Sequence, residues 1–403
     1  MTDGLLSPAT ESELAGILRR ATAGGEPLAI EGNGTKRALL RPVQAARTLT
    51  VRHLTGITLY RPQELILSAR AGTPLPEIEA ALAEKGQYLI AEPPDTTALF
   101  EAEAAETRPA TIGGVVACNL SGPRRISAGA MRDHVMGVRL VNGQGEVVHS
   151  GGRVLKNVTG LDLCKLLTGS YGTLGVLTEV TLKVLPAPPD SATVAVSVRD
   201  LAAGVRVLSA GLGSPFGPSG AALLPGGAPE LGLQGPTALL RLEDFSDSVR
   251  YRAESLAARL GREGDVTLLE AARSVPLWRA VRDAAPLGAL PEEAIWRVSV
   301  RPSAAPGVAA SLSRAFDAKL LLDWGGGLLW IAGPAEAATH AAVMAAARAA
   351  GGTWTLFRGP DGLRASSEVL PPEPAPLAAI SARVKAALDP RGVLNPGRMH
   401  AGL

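Results

Sequence analysis

Three glycine-centred clusters carry residue types that could hold an anion or a flat, phosphate-bearing ligand. The first is Glu31-Gly32-Asn33-Gly34-Thr35-Lys36, directly after a short apolar run. Glycines at this spacing let backbone N–H groups turn toward an anion, as in phosphate-cradling nests. The segment lacks the third glycine of a dinucleotide fingerprint and the spacing of a P-loop, so alone it reads equally well as a surface turn. The second cluster is ATIGGVVACNLSGPRR, residues 110–125, where Gly113 and Gly114 open a run of small residues. A backbone can approach a ligand closely over such a run. Arg124 and Arg125 could neutralise phosphate, or simply be solvated. The third is GSYGTLGVLTEV, residues 169–180, in which Gly169, Gly172 and Gly175 punctuate a turn leading into a strand.

Groups for acid–base or metal chemistry are sparser. His53, His134, His149, His340 and His400 are dispersed, with no H-x-H pair. Each reads as an ordinary surface or packed residue. Cys118 and Cys164 are too few for a disulfide framework or an iron–sulfur ligand set and read as buried small residues in a reducing compartment. Trp324 and Trp330 bracket three glycines, Gly325 to Gly327; the pattern suits a turn needing positive φ within packed core, or a wall for a ligand or partner.

Several elements must position these clusters. Residues 11–25 read as a helix, with Leu14, Ile17 and Leu18 at helical spacing before Gly24-Gly25. A short strand through Leu28, Ala29 and Ile30 feeds the first cluster. Residues 47–51 and 65–70 carry strand-like content, and a helix is expected between Pro76 and Gly86. Asn142-Gly143 is a hairpin signal between two apolar runs. TEVTLKVLP, from Thr178, alternates as a half-buried strand should. The proline-rich stretch Pro186 to Pro189 reads as a linker. Beyond it, strand-like ATVAVSV, TALLRLEDF, AIWRVSV and GLLWIAG alternate with alanine-rich helical stretches. That pattern predicts an α+β layer with helices on one face of a sheet and no repeat of fixed period. PPEPAP, from Pro371, is a second linker before a helix around Ile380 to Leu388 and the tail DPRGVLNPGRMHAGL.

Composition narrows the function classes. The chain has 403 residues, 46% hydrophobic and 19% charged, which excludes a disordered tail or a coiled coil and suits two domains. A net charge of +2 leaves no footprint for nonspecific nucleic-acid binding. The opening MTDGLL has no signal-peptide pattern, and glycines and prolines interrupt the longest uncharged run, Val207 to Pro229. The expectation is a soluble, cytoplasmic protein.

The order and spacing of the three clusters change their weight. PLAIEGNGTK, then PATIGGVVACNLSGPRR with RDHVMGVRLVNGQGEVV, then TGLDLCKLLTGSYGTLGVLTEVTLKVLP resemble the three loops of a known FAD-binding family. That family contains vanillyl-alcohol oxidase, D-lactate dehydrogenase and the FAD-linked glycolate oxidase subunits. The ending LDPRGVLNPGRM resembles the D-P-x-x-x-L-N-P-G-[KR] close of the same family. Glu92 to Asp95 (EPPD), LDWGGGLLW and NPGRMHAGL look most like the smaller FAD-binding subunits of bacterial glycolate oxidases.

The resemblance implies an α+β fold: a two-subdomain FAD-binding domain of the vanillyl-alcohol oxidase type over residues 1–186, a ferredoxin-like α+β cap over 187–375, and a C-terminal segment, 376–403, packing back on the FAD domain. It assigns Glu31, Gly32, Asn33, Gly34, Thr35 and Lys36 to the FAD pyrophosphate. Thr111, Ile112, Gly113, Gly114, Val115 and Asn119 would pass beside the isoalloxazine and pyrophosphate, with Arg132 and Asp133 just after them. Gly172, Thr173, Gly175 and Val176 would meet the adenosine end, and Asn395 and Arg398 the ring. Arg398 is the catalytic candidate, its cation stabilising negative charge at the reduced ring. Thr35 stands where many members carry a flavin-linked histidine, so the FAD is expected to be noncovalent, and Leu161 stands where the family often has Tyr.

The metal-binding histidine pair of the catalytic 2-hydroxy-acid dehydrogenases is missing from the sequence. No catalytic base stands out; Arg297, Arg301, Arg358 and Arg398 are candidates for a substrate-carboxylate clamp. The implied role is an FAD subunit of a glycolate (2-hydroxy-acid) oxidase or dehydrogenase complex that accepts or relays electrons. Its implied partners are a second, catalytic FAD-containing subunit and an iron–sulfur subunit, with any attachment to the cytoplasmic membrane made through the complex. The alternatives are a self-sufficient FAD-dependent dehydrogenase of another hydroxy acid, and a flavin-binding assembly subunit.

Overall fold

The computed structural model describes residues 4–100, 109–152 and 161–402; Thr159 and Gly160, at the start of the third motif, lie outside the described residues. The chain divides into two compact units. One comprises residues 1–120, 130–187 and 372–403, the other residues 121–129 and 188–371. Residues 121–129, expected inside a first domain ending at 186, therefore pack with the second unit. Among the contacts that hold them there, Arg124 pairs with Glu243 at 2.5 Å, the Trp324 indole N–H donates to the Gly122 carbonyl at 3.1 Å, and the Ser127 hydroxyl donates to the Ser219 carbonyl at 3.2 Å. Residues 372–375, expected at the end of the cap, belong with the tail.

The first unit holds two main sheets. In the smaller, the strand Arg47–Thr50 lies between Leu5–Leu6 and Leu28–Glu31, all parallel. The larger is antiparallel, in the order Ile57–Arg61, Ile66–Arg70, Val176–Lys183, Val135–Val141, Val147–Gly151. The helix Glu11–Gly24 begins where the Thr10 side chain accepts from the Glu13 N–H, and Gly25 ends it in the left-handed region at φ 62°. Its Leu14, Ala15, Leu18 and Ala21 form one buried stripe. Glu11 ties that helix to the larger sheet through Arg139 at 2.5 Å and the Thr178 hydroxyl at 2.6 Å.

Two local expectations change. The Val176–Lys183 strand is central and covered on both sides: Thr178 and Thr181 are buried, and the Thr181 hydroxyl is hydrogen-bonded to Ser68 at 2.8 Å. Its threonines mimic a polar face without being one. The hairpin at Asn142 exists, but Gly145 supplies the positive φ, at 76°, while Asn142 N–H bonds the Glu146 carbonyl. Gly143 serves a different need, because a Cβ there would stand 2.5 Å from Asp389 in the tail.

The second unit is one eight-stranded antiparallel sheet built from two βαββαβ modules. The first runs Asp190–Ser197, helix Leu201–Leu212, Gly220–Leu224, Thr237–Asp244, helix Ser246–Leu260, Asp265–Leu269; its strands lie in the order fourth, first, third, second. The second runs Ala294–Ser299, helix Ala305–Ala315, Lys319–Asp323, Leu328–Gly333, helix Ala337–Ala349, Thr353–Arg358, in the mirrored order. Leu223 pairs with Leu322 to join them. Each module is ferredoxin-like, so the unit contains a topological duplication that no fixed sequence period announces. Helices also cover both faces of the first module. Gly211 lies against Leu240, whereas Trp278 lies against Gly220 and under the Arg241 guanidinium. Leu240 and Arg241 are adjacent in a strand and so face opposite ways.

Candidate functional site

The first glycine loop leaves the strand Leu28–Glu31, an edge strand of the smaller sheet of the first unit. A Cβ on Gly32 would stand 2.2 Å from Thr111 Oγ1, so only glycine lets this loop lie against the second motif. Gly34 takes φ 78°, and the Asn33 amide donates to the Pro109 carbonyl at 2.8 Å. The backbone N–H groups of Gly32, Asn33, Gly34, Thr35 and Lys36 donate to no acceptor among the described residues. Five successive donors left open by the described residues form an anion nest, and a pyrophosphate is the kind of group that fits it. The orphaned, buried hydroxyl of Thr96, beside Asp95 of the EPPD segment, is a further polar atom that the described residues leave without a partner.

The second motif forms the short helix Ile112–Ala117. Here the structure assigns different duties to the expected residues. The N–H of Ile112 donates to Thr73, that of Gly113 to Ala71 and that of Val115 to Thr111, so none of these amides is open to a ligand. Ile112 and Val115 are wholly buried side chains. Gly113 is small because a Cβ would meet Ala71 at 2.6 Å. Thr111 accepts from the Gly114 N–H at 3.4 Å. Asn119 takes φ 50° and accepts from the Arg132 N–H at 3.1 Å.

The third motif meets the second through Tyr171 N–H, which donates to the Ala117 carbonyl at 2.8 Å, and Gly169 N–H, which donates to Val116. Gly172, at φ 70°, lies against Asn395 of the tail. Gly175 packs on Leu140 and Val176 opens the buried central strand, so both are structural at these coordinates of the fold. Thr173 lines a mainly apolar cavity of about 290 Å³ between this motif and the C-terminal helix Ala375–Leu388, with Leu174, Ile380, Val384 and Met399 among its walls.

The tail completes the arrangement. Leu28 N–H donates to Val393 and Asn395 N–H to Leu28, so the tail runs beside the strand that feeds the first loop. Asn395 spends its side chain on protein: Oδ1 accepts from the Ile30 N–H at 2.7 Å and Nδ2 donates to Tyr171 at 2.8 Å. Arg398 donates to the carbonyls of Lys36 and Arg37 at 2.5 and 3.1 Å, clamping the end of the nest.

Sequence reasoning missed the hub of the tail, the pair Lys385–Asp389. Lys385 Nζ reaches Asp389 at 2.6 Å, the Thr173 carbonyl at 2.7 Å and the Leu394 carbonyl at 3.0 Å. Asp389 in turn accepts from Val393 and Leu394 N–H. Opposite charges four residues apart at a helix end were the available signal.

Arg132 and Asp133 sit at the margin, both about half exposed. Burial pulls the Asp133 carboxyl up, but the Ala130 N–H, Lys165 and Arg132 outweigh it and hold it below the usual aspartate value. Glu31 pairs with Arg37. Of the carboxylate-clamp candidates, Arg358 is buried and donates to the Glu293 carbonyl at 2.7 Å, a structural use. Arg297 is stacked on Trp324, Trp330 and Phe357 within the second unit. Arg125 also lies over Trp324, whose φ of 54° precedes Gly325 at 69° and Gly326 at 93°. His340 is packed, accepting from the Trp296 indole at 2.9 Å. Among the described residues no group of three or more His, Cys, Asp or Glu could hold a metal ion, and no helix is long and apolar enough to cross a membrane.

Comparison with known proteins agrees with this arrangement. Residues 2–151 match the FAD binding domain family. The chain is 37% identical over 397 residues to glycolate oxidase subunit GlcE of Escherichia coli (strain K12), covering 96% of both proteins. Glycolate oxidase subunit GlcD of Bacillus subtilis (strain 168) is 28% identical over 210 residues, 52% of this chain and 42% of that protein. Among solved structures, p-cresol methylhydroxylase with substrate bound is similar with a TM-score of 0.73 at 14% identity, covering 99% of this chain and 88% of that one. Alkyldihydroxyacetonephosphate synthase gives 0.71 at 15% identity, over 97% and 76%. At such identities these two speak for the fold alone. With near end-to-end similarity to GlcE and an FAD-binding domain across its first loops, the chain belongs to the family of FAD-binding glycolate oxidase subunits, oxidoreductase components whose cofactor is FAD.

Proposed function

We propose that the chain is the FAD subunit of a complex oxidising glycolate or a closely related 2-hydroxy acid, and that it accepts or relays the electrons. The nest of five open amides in residues 32–36 carries the reading, together with similarity spanning 96% of a glycolate oxidase subunit. FAD, when bound, supplies a two-electron acceptor. The amides from Gly32 to Lys36 would hold its pyrophosphate. Thr111, packed against Gly32, would hold the loop in register with the second motif. Arg398 and Asn395 fix the loop, through Lys36, Arg37 and Ile30, rather than reaching outward.

Thr35 offers a hydroxyl, already accepting from Lys36 Nζ at 3.1 Å, where a histidine linkage would be needed; the FAD is therefore noncovalent in this reading. Partners follow from the family: a second flavin subunit that binds substrate, and an iron–sulfur subunit that takes the electrons onward. The purified chain should show a flavin band that passes into the supernatant on acid precipitation. Anaerobic glycolate should leave the band oxidised in the isolated chain and bleach it when the sister flavin subunit is co-purified. Bleaching in the isolated chain would make it a self-sufficient dehydrogenase, and a chain without flavin after reconstitution would sink the cofactor assignment.

A further inference from the structure

Thr50 ends the strand Arg47–Thr50, pairs in register with Glu31 and is wholly buried. Its hydroxyl makes three hydrogen bonds. It accepts from the Arg52 backbone N–H and from Arg52 Nε, both at 3.3 Å, and donates to the Gly32 carbonyl at 2.6 Å. Backbone and guanidinium N–H groups only donate, so the one hydroxyl proton has a single place to go. The chain therefore has one direction, from Arg52 through Thr50 to Gly32.

The Gly32 carbonyl shares a planar trans peptide with the Asn33 N–H, and the two point opposite ways. Holding that carbonyl against Thr50 aims the Asn33 N–H, one of the five open donors, to the other side. The preceding peptide is held alike. Val51 N–H donates to the Glu31 carbonyl at 2.9 Å, which aims the Gly32 N–H. The two fastenings differ in charge: Val51 offers a neutral backbone donor, whereas the Thr50 hydroxyl is backed by a guanidinium. Arg52 is half-buried, pairs with no carboxylate among the described residues, and spends its side-chain hydrogen bond on Thr50. A cation at the head of a hydrogen-bonded chain polarises each bond beyond it and makes the last donor a better one.

We propose that Thr50 and Arg52 are positioning residues for the anion held by the first loop. The Thr50 hydroxyl aims the Gly32–Asn33 peptide, and it passes the polarisation of the Arg52 guanidinium to the Asn33 N–H. This rests on the FAD reading above and deepens it, adding a cation that serves the pyrophosphate without touching it.

The test compares the full chain as wild type, T50V, T50S, R52M and T50V/R52M. FAD and inorganic pyrophosphate are titrated separately by calorimetry, with urea unfolding of each apo chain alongside. T50V keeps the shape and loses the hydroxyl, so both ligands should bind about tenfold more weakly, and T50S should recover binding to within about twofold. R52M should weaken both ligands about threefold in the wild-type background and leave them unchanged beside T50V. An R52M loss of equal size in both backgrounds would mean direct attraction between guanidinium and anion and would overturn the relay. Unchanged binding in T50V, or a loss that T50S does not recover, would overturn the aiming role. R52M lies at a half-buried side chain and decides the matter if T50V does not fold: wild-type binding there would overturn the proposal. A wild-type chain that binds pyrophosphate but takes up no FAD would end the FAD reading, while the pyrophosphate titrations would still decide this proposal. A wild-type chain that binds neither would overturn both.

Discussion

Gly32→Ala probes the contact on which the site is built. The φ of Gly32 is outside the left-handed region, so alanine meets no backbone strain there. What it meets is Thr111, with Oγ1 at 2.2 Å, Cγ2 at 3.0 Å and Cβ at 3.1 Å from the new methyl. Relieving an oxygen at that distance moves either the loop or the helix cap by about an ångström, and overpacking of this kind costs about 1–3 kcal/mol. The same movement separates the open amides from the second motif, so FAD binding should weaken about tenfold, or roughly 1.4 kcal/mol. Thr111→Ala alone loses only a long cap bond to the Gly114 N–H, at about 1 kcal/mol or less. Because it removes both of the closest atoms, Gly32→Ala should be nearly harmless in its background. A double-mutant cycle, followed by urea unfolding of the apo chain and FAD titration, should then give a favourable coupling of about 1–2 kcal/mol. Additive effects, within about 0.5 kcal/mol, would refute the claim that Gly32 is glycine for the sake of Thr111.

Asp389→Asn keeps the shape of the tail hub but breaks an ion pair whose carboxylate is wholly buried, and urea unfolding should register a loss of about 3 kcal/mol with faster FAD release. A loss below about 1 kcal/mol would show that the tail is held by backbone pairing alone. In the second unit, Glu243 is held below its ordinary value of 4.5; burial pulls it up, and Arg241, Arg124 and the Ser219 hydroxyl more than reverse that. A depressed carboxyl contributes stability that is complete above pH 4.5 and is lost as pH falls through its folded value. The melting temperature of Glu243→Gln should therefore lie well below wild type at neutral pH and approach it as pH falls below 4.5. A constant gap across that range would contradict the assignment.

Much of the first unit was legible because its signals are local. The Thr10 cap and Gly25 bound the first helix, and a short strand delivers Gly32 and Gly34 to a turn. What stayed hidden depends on residues far apart in sequence. Gly32 answers to Thr111, Gly113 to Ala71 and Gly143 to Asp389, none of which a local reading pairs. The second motif looked like an anion cradle because its residues are small. Its amides are instead consumed by Thr73, Ala71 and Thr111, and its smallness serves packing. Arg124, open in the sequence between a phosphate partner and a solvated side chain, is neither: it anchors residues 121–129 to the second unit through Glu243. The duplicated βαββαβ module escaped notice because the repeat lies in strand order and handedness, which hydrophobic spacing does not encode.

The tail adds to the excess of open donors over open acceptors in the first loop. The carbonyls of Glu31, Gly32, Gly34 and Lys36 are all claimed, by Val51 N–H, the Thr50 hydroxyl, Arg37 N–H, and Leu39 N–H with Arg398 respectively. The N–H groups of the same stretch are left open. Four of the six carbonyls in residues 31–36 are thus turned into protein while the five N–H groups of residues 32–36 are not, a balance that favours an anion independent of any charged side chain. Arg398, placed by the backbone pairing of Leu28 with the Val393–Asn395 segment, supplies part of that bias from residues more than three hundred positions away. Residues 389–398 therefore bear on the loop and on the strand that feeds it. Removing them should leave the glycines in the sequence but take the Arg398 cation from the Lys36 and Arg37 carbonyls, and FAD titration of a chain cut before residue 389 should show weaker binding than the full chain.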